Sequence, residues 1–480
     1  MIHPTINRRN TLGLMAAVTA IGAFARRSAG ATRPPRVFDV HDHGAVGDGM
    51  TLDTLAIQRT VDAAAAWGKG ARVLLRAGRK YLISPVRLAG GIDFHLAGDA
   101  EIRVSADPSH YGNPREGVLL LLEGVLHAVG ANGLTISGTG VINGRSPEFM
   151  SGFDAENEWW IPKSFRPRLL VLENCENLVI RDVTFSQAPS WTVHLLGCRH
   201  VLIDHVSIHN QPDVPNCDGI DPDHCQHVEI RNCHIVCGDD AIVIKTTAGH
   251  PQYGPSHNIT VRDCVLETQD SGLKIGTETT QDIHQILFER CRIATGCRGL
   301  CIQLRDQGSI YDIVFRDVTF VSRYFSAPWW GRGEAISFTA IPRTPTTTLG
   351  TIHDVLVQNV TGRAENSVRI EGHGASRIRN VTLDRVKVKL DRWTKYPGGV
   401  FDNRPTSVID PIEKHGTPGM LIRHADHITL DHCQVEWGDN RPDYFTHALQ
   451  VEDVTALVNT GFVGEAAHPT RDPAISVSNG

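Results

Sequence analysis

Three aspartates are the residues of this chain best suited to acid–base chemistry. Asp218 lies in the run Asn-Cys-Asp-Gly-Ile-Asp at residues 216–221, and the pair Asp239-Asp240 follows a glycine. Each group stands just before an apolar, strand-like run. Inverting hydrolysis of a glycosidic bond needs a protonated carboxyl on the leaving oxygen and a carboxylate on the attacking water, about 6.5 to 9.5 Å apart. Crowding of like charges raises the pKa of one carboxyl, which supplies the acid.

The same residues also have a plain structural interpretation. Asp-Asp and Asn-x-Asp-Gly are frequent in turns, because these side chains bond to nearby backbone amides. Neighbouring parallel strands, however, lie about 4.8 Å apart, so carboxylates placed before equivalent strands would converge. Three of them in such positions favour the catalytic interpretation.

A sequence repeat surrounds these aspartates. From Leu134 onward the order apolar, any, apolar, any, Asn or Asp, Cys or Val, any, apolar recurs, mostly at intervals of about 23 to 31 residues. The copies begin at Leu178, Val201, Val228, Ile259, Ile286, Ile313, Val355, Val381 and Ile428. The alternation is that of a β-strand, and one copy is too short to bury its apolar face alone. We therefore predict an all-β fold, a parallel β-helix whose copies stack as coils.

A second set of strands precedes the copies and determines where the polar residues point. If the apolar residues Ile220, Ile242, Leu273 and Leu300 stack inward, every second residue between them faces outward. The outward column then contains His194, Asp221, Val243, Lys274 and Cys301, with Lys245 and Gln303 beside it. This arrangement predicts one polar outer face along which an extended polymer can lie.

The flanking regions predict caps and loops. Asp53 or Thr54 can cap an Ala-rich helix that stops at Gly68. Short strands are expected at residues 73–75, 94–96 and 118–122, and a long loop between Thr394 and Pro411. The predicted organisation is an export signal over 1–31, a cap and first coils over 32–115, the catalytic β-helix over 116–437, and a C-terminal cap and tail over 438–480.

At the aspartates the chain resembles glycoside hydrolase family 28, the polygalacturonase family of pectin-degrading enzymes. That family carries Asn-Thr-Asp, Gly-Asp-Asp, Gly-His-Gly and Arg-Ile-Lys blocks, and residues 216–218 and 238–240 match the first two, with Cys for Thr. The resemblance implies a right-handed β-helix and inverting hydrolysis of a pectic polysaccharide or oligosaccharide. It also implies Asp239 as the acid, with Asp218 and Asp240 holding and deprotonating water. The choice within the adjacent pair stays open, because coupled carboxylates titrate as a unit.

The chain departs from the family in the other two blocks. Residues 270–272 read Asp-Ser-Gly in place of Gly-His-Gly, and residues 301–303 read Cys-Ile-Gln in place of Arg-Ile-Lys. These departures favour rhamnogalacturonan-type or other side-chain-bearing pectin over homogalacturonan. We predict that Lys274 and Arg305 bind the acidic sugar instead. The further predicted substrate contacts are Asp221, His194, Lys245, Gln303 and the loop residue Trp330.

Two other functions fit the same scaffold. A polysaccharide lyase or uronate epimerase would bind calcium through the clustered aspartates and use Lys245 or Lys274 as the base. A carbohydrate-binding solenoid without catalytic activity would need only the β-helix fold, without the catalytic role of the aspartates. The hydrolase interpretation is preferred, because all three aspartates are retained at the family's spacing, and it requires no metal or cofactor.

Composition agrees with a large globular enzyme. The 480 residues are 41% hydrophobic and 21% charged, and the formal net charge of -6 gives no basic excess for nucleic acid. The eleven cysteines are odd in number and widely spread. Four of them share one slot of the repeat, which predicts buried thiols instead of disulfides: Cys233, Cys264, Cys291 and Cys433.

The first 31 residues have the pattern of an export signal. Arg8-Arg9 precedes an apolar run over residues 12–25, and Ala29 and Ala31 offer a small-residue cleavage site. The run is too short to span a bilayer. We expect export by the twin-arginine or Sec route, no membrane association after cleavage, and a periplasmic or secreted monomer.

Overall fold

The structure, a computed structural model, describes residues 36–111 and 124–478. The expected export signal and the expected strand at 118–122 lie outside the described residues. The described chain folds as predicted into a right-handed parallel β-helix. Each coil adds one strand to each of three long faces, which we name the site face, the second face and the third face.

The bounds of the strands follow these three faces. The site face contains Val86–Arg87, Leu126–Val129, Leu170–Glu173, Val193–Leu196, Ile220–Asp223, Ile242–Thr246, Ser271–Thr279, Arg298–Leu304, Glu334–Ala340, Asn366–Glu371 and Ile475–Ser478. The second face contains Arg36–Asp39, Ala71–Leu75, Ile92–Leu96, Thr135–Gly138, Glu176–Arg181, Arg199–Asp204, Gln226–Arg231, Ser256–Arg262, Ile283–Glu289 and Ile310–Arg316. The third face contains Asp48–Leu52, Lys80–Ile83, Glu101–Val104, Val141–Asn143, Thr184–Ser186, Ser207–His209, His234–Val236, Val265–Glu267, Arg292–Gly296, Thr319–Ser322 and Gln434–Trp437. Four long strands turn a corner and belong to two faces: Ile352–Ala364, Ile378–Leu390, Met420–Asp431 and Leu449–Thr460.

The register along the site face agrees with the predicted stacking. Ile220 pairs with Ile242, Ile242 with Leu273, and Leu273 with Leu300. All four side chains are completely buried. Because the strand period is two, the residues that follow them point away from the core, where the predicted polar column lies. Asp221, Val243, Lys274 and Cys301 of this column are nevertheless buried.

The corner between the second and third faces explains the Asn or Asp slot of the repeat. The residues in this slot have positive φ angles, which Asn and Asp tolerate better than most residues. They are Asp182, His205, Asn232, Asp263, Arg290, Asp317, Asn359, Arg385 and His432. The residue that follows the corner residue in each repeat points into the core. Four of these residues are the predicted cysteines, and all four are buried with free thiols.

A helix closes the N-terminal end of the coils. It runs over Thr54–Trp67 with Asp53 at its N-cap position, and it buries Ile57, Val61 and Ala64 against the first strands. The Asp53 carboxylate also accepts hydrogen bonds from the backbone amides of the glycine-rich turn. No helix within the described ranges is long and apolar enough to cross a membrane.

The predicted loop near residue 400 is a folded element that packs on the site face. We name residues 391–416 the strap; it contains the antiparallel hairpin Val400–Asp402 and Ile412–Lys414. The coils also continue past the predicted boundary at 437. Leu449–Thr460 still pairs with the preceding coil, and Ile475–Ser478 pairs with Leu449–Thr460.

Candidate active site

The three aspartates meet at the start of two neighbouring strands of the site face. Asp218 precedes Ile220–Asp223, and Asp239 and Asp240 precede Ile242–Thr246, which pairs with it in register. Each aspartate offers a carboxylate oxygen, and these oxygens all lie within 4.8 Å of one another. Asp218 and Asp240 are buried, whereas Asp239 is partly exposed. The predicted convergence is present, at a spacing shorter than the 6.5 to 9.5 Å expected for inverting enzymes.

Backbone and side-chain amides hold Asp239 in place. The Asn216 backbone N–H donates to Asp239 Oδ2 at 3.2 Å, and the Asp240 N–H donates to Asp239 Oδ1 at 2.9 Å. Arg166 Nη2 in turn donates to Asn216 Oδ1 at 2.9 Å. Burial, followed by the charges of Asp218 and Asp240, raises the pKa of Asp239 to about 7.

Asp240 has a buried cation as its partner. Lys274 Nζ lies 2.7 Å from Asp240 Oδ2, and the Ser271 backbone N–H donates to Asp240 Oδ1 at 3.3 Å. The aspartate is 2% exposed and the lysine 4% exposed, so this ion pair is shielded from water. Burial alone would lower the pKa of Lys274, but the charges of Asp240 and Asp270 raise it above its usual range. Each oxygen of Asp240 therefore has one donor and keeps a second lone pair.

A second buried lysine lies beside Asp218. Lys245 Nζ is 3.6 Å from Asp218 Oδ2, 3.4 Å from Asp221 Oδ1 and 3.8 Å from Glu278 Oε2. Asp218 Oδ1 is buried without a hydrogen-bond partner among the described residues. Burial, followed by the charge of Asp221, raises the pKa of Asp218 well above its usual value. One ammonium group is therefore shared by three carboxylates.

Ser271 stands at the position of the family's histidine, and Asp270 precedes it. Asp270 accepts hydrogen bonds from the Ser271 hydroxyl at 2.9 Å and from Arg298 Nη1 at 3.4 Å. Burial and the charge of Asp240 raise the pKa of Asp270 to about 8. Asp240 therefore has Lys274 as its direct partner, and the Asp270–Arg298 pair lies on the same coil boundary.

The predicted substrate contacts separate into two groups. Lys274 and Lys245 lie among the aspartates, as described above. Asp221 is completely buried beneath Lys245, and His194 is 4% exposed, with Nε2 3.3 Å from Asp223 Oδ2. The site face places these residues where the sequence predicted, but both lysines are already held by carboxylates.

The strap covers the other predicted contacts. Gln303 and Arg305 are completely buried, and their side chains donate to the backbone carbonyls of Arg404 at 3.4 Å and Asn403 at 3.2 Å. Neither has surface left for a ligand in this arrangement. Trp330 is partly exposed and contacts the strap, because the Arg404 guanidinium lies 5.5 Å from its ring centroid.

Two arginines that the sequence pattern did not indicate lie on the side of the aspartates opposite to the strap. Arg166 and Arg168 precede the strand Leu170–Glu173, one coil before His194. Arg168 Nη1 lies 2.7 Å from His194 Nδ1, and its guanidinium stacks 4.0 Å from the Trp191 ring. Following the position of Asp218 back through the two preceding coils leads to Trp191 and then to Arg168.

The aspartate cluster also has the composition of a divalent-cation site, since carboxylate oxygens are the ligands that calcium prefers. Asp218, Asp239 and Asp240 each present one oxygen within the required distance of the others. Lys274 and Lys245, however, already lie 2.7 Å and 3.6 Å from two of these aspartates. A divalent cation would therefore have to compete with two buried ammonium groups for the same oxygens.

Comparison with known proteins agrees with these features. The sequence profile described as Glycosyl hydrolases family 28 matches residues 93–396. A probable polygalacturonase of Vitis vinifera is 28% identical over 298 residues, which are 58% of this chain and 59% of the relative. An exopolygalacturonase of Zea mays is 23% identical over 68% of this chain and 85% of the relative. The chain thus spans less than two thirds of the length of the first of these relatives.

Solved structures show the same fold. An exopolygalacturonase from Thermotoga maritima superposes with a TM-score of 0.67 at 19% identity, covering 88% of this chain and 96% of that one. A family 28 exopolygalacturonase from Yersinia enterocolitica superposes with a TM-score of 0.66 at 17% identity, covering 90% of this chain and 79% of that one.

Proposed function

Because the chain belongs to glycosyl hydrolase family 28, we propose that it is a glycosidase that hydrolyses a galacturonate-containing pectic polysaccharide with inversion at the anomeric carbon. The observation that carries the proposal is the meeting of three aspartates, one of them bound to a buried lysine. The polygalacturonase and exopolygalacturonase among its relatives support a pectic substrate. Absence of the family's Arg-Ile-Lys cations favours a rhamnogalacturonan-type polymer over plain homogalacturonan.

Asp239 is the acid in this proposal. It is the most exposed of the three aspartates, and its pKa of about 7 keeps the proton in place in weakly acidic solution. The proton passes from Asp239 to the leaving glycosidic oxygen while the bond from that oxygen to the anomeric carbon breaks.

Asp240 is the base, and Asp218 orients the water. Asp240, whose Oδ2 lies 2.7 Å from Lys274 Nζ, takes one proton of the attacking water. The oxygen of that water forms the new bond to the anomeric carbon. Asp218 Oδ1, buried and otherwise unpartnered, can accept a hydrogen bond from the same water.

The short spacing of the carboxylates does not by itself indicate inversion, because about 5 to 5.5 Å is typical of retaining enzymes. Inversion requires the base to act through a water instead of attacking the anomeric carbon itself. Each oxygen of Asp240 has one donor and keeps a second lone pair for the proton of that water, and Asp218 Oδ1 can orient the same water. Proton NMR of the first product formed should therefore show the inverted anomer, and a retained anomer would refute this part of the proposal.

The test of the reaction class is product analysis of wild type and Asp239→Asn on homogalacturonan and rhamnogalacturonan, with and without a chelator. We expect new reducing ends without ultraviolet absorbance, resistant to chelator and abolished by the substitution. Absorbing, unsaturated products that disappear with chelator would identify a lyase instead. Binding of either polymer without any turnover would identify a carbohydrate-binding solenoid.

We also propose that residues 1–31 direct export and that the mature protein is a monomer. The described part of the chain has eleven buried free thiols and needs no oxidising compartment to fold, which agrees with folding before export. N-terminal sequencing of the mature protein, fractionation of the expressing cells and light scattering test these statements.

A further inference from the structure

Most basic groups around the aspartates already have partners. Lys274 and Lys245 contact the aspartates themselves. Arg343 Nε lies 2.8 Å from Asp306 Oδ1, and the guanidinium of Arg166 donates to backbone carbonyls and to the Asn216 side chain. An acidic sugar would have to compete with these internal partners for each of the four groups.

The strap covers the part of the site face that holds residues 301–303, where the family carries its Arg-Ile-Lys block. Under the strap, Arg369 is completely buried and donates to Asn403 Oδ1 at 2.7 Å, with Phe401 stacked 4.4 Å from its guanidinium. Gln303 and Arg305 lie beneath the same segment. A sugar carboxylate cannot reach these coils, so recognition must occur on the N-terminal side of the aspartates.

Arg168 is the cation on that open side whose guanidinium is not satisfied. It is partly exposed and forms no ion pair with a carboxylate of the described residues. Nη1 is bound to His194, while Nε and Nη2 make no hydrogen bond within residues 36–111 and 124–478. A planar guanidinium with two free donors matches the two oxygens of a carboxylate.

The surroundings of Arg168 hold it in one orientation. Burial and the Arg168 charge help lower the pKa of His194 to about 4, so its Nδ1 is an unprotonated acceptor for Arg168. Nε2 of His194 is then the N–H that faces Asp223, 3.3 Å away. Asp223 is itself fixed by the Thr247 hydroxyl at 2.6 Å. The Trp191 ring supports the guanidinium from below at 4.0 Å.

We propose that Arg168 binds the carboxylate of a uronate residue in the substrate, on the side of the aspartates opposite to the strap. This inference rests on the proposed function, because it takes a uronate polymer as the ligand. His194 is the positioning residue in this arrangement, and it holds the guanidinium without touching the sugar.

The test compares each uronate oligosaccharide with its carboxyl-reduced, neutral form. Homogalacturonan and rhamnogalacturonan tetrasaccharides are titrated by calorimetry into Asp239→Asn and into Asp239→Asn combined with Arg168→Met. We expect the arginine change to weaken binding of the preferred uronate tetrasaccharide about 10- to 100-fold and to leave binding of its reduced form within about twofold. Arg168→Lys should recover part of the loss. Arg181→Met, at an exposed arginine on the second face, serves as the matched control.

Equal weakening of both forms would mean that Arg168 only supports the fold, and unchanged binding of the uronate form would mean that it does not touch the substrate. Either result overturns the proposal. Turnover by the wild type is measured separately on the parent polymers. Oligosaccharide binding that depends on Arg168, without any turnover, would therefore refute the hydrolase and leave the carboxylate site in place.

Discussion

Replacing Lys274 by Met tests the central ion pair of the site. The change removes the ammonium 2.7 Å from Asp240 Oδ2 and leaves a buried carboxylate beside two others. Loss of one partner from a buried pair costs about 3 to 5 kcal/mol, provided that the remaining group stays charged. At 1.36 kcal/mol per pKa unit, this corresponds to about two to four pH units. Activity should therefore require a correspondingly higher pH.

The assay is the pH dependence of kcat/KM for Lys274→Met, read at its acid limb, which reports the catalytic base. We expect the acid limb to move upward by about two to four units and activity at weakly acidic pH to fall at least about 100-fold. Lys389→Met, at an exposed lysine on the third face, should leave the profile unchanged.

A stability measurement separates catalysis from folding in this series. The double change Lys274→Met with Asp240→Asn removes both charges, so it should unfold at a higher temperature than Lys274→Met alone, although it is inactive. An unchanged acid limb in Lys274→Met, with normal folding, would refute the reasoning. Lys274 would then not influence the titration of the coupled aspartates that sets the acid limb.

Three further predictions follow from the same geometry. Asp239→Asn should lower kcat about 10²- to 10⁴-fold with little change in the binding of oligosaccharides, as measured by steady-state kinetics and calorimetry. The pKa of Asp239 in the folded protein, about 7, lies above its value in the unfolded chain, so the bound proton stabilises the fold at acidic pH. This stabilisation is lost as the pH rises from about 4 to about 7. Urea unfolding should show the corresponding fall in the free energy of unfolding, and the fall should be smaller in Asp239→Asn. Phe401→Ala, at a completely buried strap residue, should cost about 3 to 5 kcal/mol and make residues 391–416 susceptible to proteases, whereas an unchanged digestion pattern would contradict the anchoring role of this side chain.

Repetition made the fold predictable. Each copy of the motif repeats the same local requirements: an apolar residue at every second position, a residue that accepts positive φ at the corner, and a small apolar residue after it. A solenoid coil contacts only its neighbours, so local pattern and global fold carry the same information. The coils continue past residue 437, where the last coil has Gly461 at the corner in place of the Asn, Asp, His or Arg of the earlier coils.

The strap shows where this agreement ends. Its Pro, Gly and Asp residues predicted a loop, but nothing in their spacing indicates that Asn403 lies against Arg305 and Arg369, which are distant in sequence. Gln303 and Arg305 were therefore expected in the substrate groove and are found beneath the strap. Contacts between segments far apart in the chain have no local periodicity from which they could be inferred.

The sequence by itself determined the coil, its inward column and the place where Asp218, Asp239 and Asp240 meet, because strand period and coil stacking are fixed by the backbone. The tertiary structure alone decided which charged groups pair. Lys274 and Lys245 are bound by the aspartates, whereas Arg168 has no carboxylate partner among the residues that the structure describes. Charge pairing depends on distances of a few ångströms and on which side chains a distant segment covers, and neither quantity is written in the spacing of residues along the chain.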